Sequence, residues 1–115
     1  MNNDSLESLK QSLRQFALER DWDQFHSPKN LCCALSVEVG ELLENFQWEP
    51  ESEVLDDAKR LHVANEIGDV LNYLVRLSDK LGIDPVKAAQ NKLRLNADKY
   101  PVHLARGSKK KYTDF

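Results

Sequence analysis

Two dipeptides divide this chain into helices before any composition is counted. Ser27-Pro28 and Asp84-Pro85 each place a helix-capping side chain before a proline. The fixed φ and missing N–H of that proline suit the first helical position. Tyr100-Pro101 marks a stop, because the residue before a proline avoids helical backbone. Gly82 stands where a left-handed residue can close a helix. Between these marks, apolar residues recur at helical intervals. Leu6, Leu9, Leu13 and Phe16 predict a first helix over residues 4–19, with Asn3 or Asp4 as its cap. A second helix runs from Pro28 to Phe46. A third runs from Asp56 to Leu81, with Leu61, Ala64, Ile67, Leu71, Leu74 and Val75 as a wide apolar stripe. A fourth runs from Pro85 to Lys99. Arg20 to His26 reads as a polar and aromatic break, residues 49–53 around Pro50 as a loop, and Pro101 to Phe115 as an extended tail. No stretch alternates with period two. The expected fold is all-α, a four-helix bundle with an extended C-terminal tail. A length of 115 residues suits one domain over 1–115, with the first helix within 1–20 and the tail over 100–115.

Composition excludes several classes. No apolar run approaches the roughly 18 residues of a membrane span, so no membrane partner is expected. The first residues, Met1-Asn2-Asn3-Asp4, have neither a basic start nor an apolar leader, and the expected location is the cytoplasm. Cys32 and Cys33 are adjacent, too strained for a bridge on a helix, and read as small core residues. A net charge of −3 argues against a nucleic-acid partner. The second and third segments are apolar over more than one face, which predicts a homo-dimer or homo-tetramer built on a two-fold interface.

The charge is unevenly spread. From Asn30 to Ala58 there is no Lys or Arg, but there are eight acids: Glu38, Glu41, Glu44, Glu49, Glu51, Glu53, Asp56 and Asp57. From Lys92 to Lys111 the balance inverts, with seven cations facing Asp98. Within this pattern two pairs stand out. Glu38 and Glu41 share a face of the second helix, and Glu66 and Asp69 share a face of the third. None has a Lys or Arg three or four residues away; His62 is the only basic neighbour. Unpaired carboxylates in apolar helices cost several kcal/mol to bury, on the order of a lost ion pair, unless they protonate or bind a cation. Four oxygen donors without thiolates suit Mg²⁺, with Mn²⁺ possible, rather than Zn²⁺. A Glu-x-x-His di-iron site is excluded, because Asp23, Lys59 and Tyr100 stand three before the three histidines. Phosphate-loop, dinucleotide and nucleophile-elbow motifs are missing. Any chemistry is therefore metal-assisted.

Trp22, Phe25 and His26 cluster before the second helix, Trp48 follows it, and Tyr73 lies one turn after Asp69. With an acidic site and a basic strip, they suggest stacking on a base. Here the sequence resembles a known family. Glu38-Val-Gly-Glu41 with Glu66-Ile-Gly-Asp69 is similar to the E-x-x-E…E-x-x-D motif of the all-α, MazG-like nucleoside triphosphate pyrophosphatases. Arg20-Asp-Trp-Asp-Gln-Phe-His26, Pro28-Lys-Asn-Leu31, Phe46-Gln-Trp48, Tyr100 to Gly107 and Lys111 to Asp114 resemble the dCTP pyrophosphatase branch. The resemblance spans residues 9–114.

It implies hydrolysis of a nucleoside triphosphate to the monophosphate and pyrophosphate with Mg²⁺, dCTP or its modified forms being preferred. It implies Glu38, Glu41, Glu66 and Asp69 as metal ligands and catalytic residues. It also implies Trp22, Phe25, His26 and Trp48 around the base, Tyr73 beside the metal, and Lys92 and Asn96 on phosphate or sugar. Glu38 or Glu41 would take the proton from water, with Glu44 as an outer candidate. Two other readings stand beside this one: the same chemistry on dUTP or another nucleotide, and a non-catalytic helical interaction module.

Overall fold

The computed structural model describes residues 5–51 and 54–115. Four main helices are present, and no strand occurs among the described residues. They are α1 (Leu6–Glu19), α2 (Pro28–Glu44), α3 (Asp57–Leu81) and α4 (Pro85–Lys99). Each begins on a side-chain cap. Ser5 accepts from the Ser8 N–H, Ser27 from Asn30, Asp56 from Lys59, and Asp84 from Val86 and Lys87. Such caps are worth about 1 kcal/mol each. Ser5 caps α1; Asn3 and Asp4, expected in that role, lie outside the described residues, as does Glu53. Gly82 ends α3 at φ 67°, in the left-handed region as its position predicted.

The chain forms two compact units, Met1–Gly82 and Ile83–Phe115. In the first, α3 is the central element, packing against both α2 and α1. Its core is small: among the described residues, Ala17, Leu31, Val63 and Val75 are the buried apolar ones. The segment between α1 and α2 is a 3-10 turn, Asp23–Phe25, preceded by Asp21 at φ 54°. Cys32 and Cys33 are exposed and unbridged, not the core residues expected, because of that turn of α2 only Leu31 is buried. In the second unit the tail is not extended. It forms a short helix α5 (Val102–Ala105) and a 3-10 turn at Tyr112–Asp114. The Tyr100 ring meets Tyr112 and Phe115 edge-on, each with centroids 5.8 Å apart, and Lys99 Nζ lies 4.9 Å from the Tyr112 ring centre. These ring contacts fold the tail back within its own unit.

Candidate active site

The packing of α2 on α3 brings three of the four expected carboxylates into one cluster, with Glu41 next to Glu38. A helical repeat of 3.6 residues puts Glu38 with Glu41, and Glu66 with Asp69, one turn apart on a common face. Carboxylate oxygens of Glu38, Glu66 and Asp69 all lie within 4.8 Å of one another. Glu66 is buried, Glu38 half-buried and Asp69 exposed, so the cluster runs from the interior to the surface. The Oε2 atoms of Glu38 and Glu66 are buried without a hydrogen-bond partner among the described residues. His62 Nε2 stands 3.7 Å from the other Glu66 oxygen, Oε1.

The electrostatics follow from this crowding. Burial, then a hydrogen bond shared with Glu41, then the charges of Glu41, Asp69 and Glu66, push the Glu38 carboxyl up to about 7. Each cause penalises the ionised form, and no cation among the described residues offsets them. Two buried oxygens without a hydrogen-bond partner, on two of three clustered carboxylates, are costly without a ligand. The all-oxygen donor set fits a hard metal cation, which Glu38, Glu66 and Asp69 can hold, with Glu41 beside them. Glu44 is exposed at the last turn of α2.

Asp69 also lines a cavity of about 250 Å³. Asp69, Asn72, Tyr73 and Arg76 form its α3 wall, at the spacing that keeps residues on one helix face. Leu13, Phe16 and Ala17 of α1 and Trp22 and His26 of the following turn complete it. Trp22 meets Phe16 edge-on at 5.7 Å and His26 at 6.5 Å between centroids. The wall is thus aromatic on one side and polar on the other, beside the acidic cluster.

The structure gathers Trp22, His26, Tyr73 and Asp69 at this cavity. It does not bring Phe25 or Trp48 to it. Phe25 is exposed in the 3-10 turn, and Trp48, 86% exposed, lies in the turn beyond α2. Lys92 and Asn96 lie one turn apart on α4, in the second unit; Lys92 is exposed and Asn96 half-buried. Sequence reasoning missed Phe16, Asn72 and Arg76. The signal for Arg76 was available: it stands seven residues after Asp69 and three after Tyr73, on the same face, within an apolar run.

The profile of the MazG-like family matches residues 33–115, and the chain belongs to that family. All of α3 and residues 33–44 of α2 fall within the match. Among characterised relatives it is similar to dCTP pyrophosphatase 1 of rat, 46% identical over 114 residues, covering 96% of this chain and 67% of the relative. The human protein of that name is 44% identical over the same share of each chain. A pyrophosphatase from Archaeoglobus fulgidus is similar in structure, with a TM-score of 0.71 and 37% identity over 88% of this chain and 96% of that one.

Proposed function

We propose that this chain is a nucleoside triphosphate pyrophosphohydrolase that converts dCTP or a modified dCTP to dCMP and pyrophosphate. The observation that carries the reading is the cluster of Glu38, Glu66 and Asp69, with two orphaned buried oxygens, whose Asp69 also lines an aromatic cavity. Similarity to dCTP pyrophosphatases over nearly the whole chain supports the substrate. Mg²⁺ is the proposed cofactor, with Mn²⁺ able to substitute, held by Glu38, Glu41, Glu66 and Asp69. When bound, such a cation neutralises phosphate charge and favours in-line attack by water.

The side chains divide the remaining work. Glu38 or Glu41 accepts the proton of the attacking water. Glu44 remains the outer candidate. Trp22 and His26 bind the base, with Phe25 and Trp48 as its proposed enclosure, and Tyr73 contacts the nucleotide beside Asp69. Lys92 and Asn96 are assigned to phosphate or sugar. We propose that the two units form one domain over residues 1–115, acting in the cytoplasm as a homo-dimer or homo-tetramer. No helix among the described residues is long and apolar enough to cross a membrane.

A panel of nucleoside triphosphates with Mg²⁺, with products separated by anion exchange, tests this reading. The expected result is fastest turnover of dCTP or 5-substituted dCTP, releasing monophosphate and pyrophosphate in equal amounts. Preference for dUTP would change the substrate but not the chemistry. Release of diphosphate and orthophosphate would overturn the reaction assignment. No turnover and no thermal shift with dCTP and Mg²⁺ would return the chain to the class of interaction modules.

A further inference from the structure

The aromatic turn before α2 is tied to α3 through one buried side chain. Arg76 is 6% exposed, yet it makes three polar contacts. Its Nη2 donates to Asp23 Oδ1 at 2.5 Å, its Nη1 lies 3.5 Å from Asp79 Oδ2, and its Nε donates to His26 Nδ1 at 3.2 Å. Both acids are themselves held. Lys80 Nζ binds the same Asp23 oxygen at 2.5 Å, and Arg14 grips Asp79 with two hydrogen bonds of 2.7 and 2.6 Å. The guanidinium plane is therefore fixed from two sides, and its Nε–H has one direction left, toward the imidazole.

A guanidinium only donates hydrogen bonds. The ring nitrogen it meets must accept, so Nδ1 carries no proton and the ring proton sits on Nε2. His26 Nε2 has no hydrogen-bond partner among the described residues, and His26 lines the same cavity as Asp69 and Tyr73. We propose that Arg76 is a positioning residue that fixes the proton of His26 on Nε2, so that the cavity meets a hydrogen-bond donor. Such a donor suits an acceptor on a nucleobase edge, such as O2 or N3 of cytosine. This last step rests on the nucleotide reading above; the placement of the proton does not. Burial, then the positive charges of Arg76 and Lys80, hold His26 below the usual histidine range, while Asp23 opposes them. The ring therefore stays neutral at pH 7 and retains one donor and one acceptor.

Long-range ¹H–¹⁵N correlation of the histidine rings in the full chain, without nucleotide at about pH 8, reads the proton directly. The expected spectrum has Nδ1 of His26 unprotonated and Nε2 protonated. A protonated Nδ1, or both nitrogens averaged between the two tautomers, would overturn the proposal. Arg76→Met removes the donor while leaving Lys80 on Asp23 and Arg14 on Asp79. In this variant the His26 nitrogens should average, and KM for dCTP should rise roughly three- to ten-fold, the worth of one hydrogen bond, with kcat little changed. Unchanged His26 shifts, or averaged shifts with an unchanged KM, would overturn the role of Arg76. If the variant fails to fold, the wild-type spectrum still decides the tautomer. Absence of dCTP hydrolysis in the wild type would instead defeat the nucleotide reading and leave the proton placement standing.

Discussion

A carboxyl group such as that of Glu38 ordinarily titrates near 4.5, and in this fold it does so at about 7. Between those values the folded chain keeps a proton that the unfolded chain has released. Stability from this source is present below pH 4.5 and is lost as the pH rises toward 7. His26 acts in the opposite sense, because its lowered affinity for a proton favours the fold as the pH rises through the histidine range. The carboxylates of Asp23 and Asp79, lowered by Lys80 with Arg76 and by Arg14, act only at more acid pH. Glu38→Gln isolates the first effect. We expect the metal-free wild type to lose melting temperature, relative to this variant, as the pH is raised from about 5.5 to about 8. Parallel pH profiles of the two proteins, followed by thermal denaturation monitored by circular dichroism, would contradict the crowding of Glu38. Glu38, Glu66 and Asp69 stood out in the sequence because they lack Lys and Arg at helical spacing. The place of Arg76 on the face of Asp69 and Tyr73 could be read there too, but its pairing could not, because its partner Asp23 is 53 residues away and meets it only through the packing of the turn on α3.

The helices were legible because their ends are written in local chemistry. Ser27-Pro28, Asp84-Pro85 and Gly82 placed three boundaries to the residue. What local chemistry did not reveal depends on distant contacts. The tail folds back because Tyr100, Tyr112 and Phe115 meet, and no periodicity signals three rings converging. The exposure of Cys32 and Cys33 was likewise hidden, since an apolar run does not say which of its faces a neighbour covers. Gly82 provides a test of the α3 boundary. A Cβ there meets nothing within 4 Å, so the only strain of Gly82→Ala is the backbone at φ 67°. We expect a loss of about 1 kcal/mol in urea denaturation, measured on the full chain. An unchanged or raised midpoint would show that this helix end relaxes freely into another conformation.

A single copy leaves much apolar surface in water. On α2, Val37, Val39 and Leu43 are 59, 49 and 61% exposed, and on α3, Leu61 and Ile67 are 64 and 53% exposed. Chains of this length bury only about two thirds of their unfolded surface, so a small core gains much from a second copy. A two-fold interface formed by α2 and α3 would cover these side chains on both partners at once. Light scattering at micromolar concentration should therefore show at least a dimer, and Ile67→Glu should shift it toward the monomer. A 13.2 kDa species with full activity would contradict this assembly.

The carboxylates that α2 and α3 bring together are the centre of the proposed activity, and turnover in paired neutral variants tests them most directly. Loss of an outer-shell partner alone costs metal sites about 10- to 100-fold, so loss of a ligand should cost more. Glu41→Gln and Asp69→Asn should each reduce Mg²⁺-dependent dCTP hydrolysis by at least about 100-fold. Their metal-free melting temperatures should stay level or rise, because like-charge repulsion is relieved. Near-normal turnover in both folded variants would contradict the assignment of this cluster as the active site.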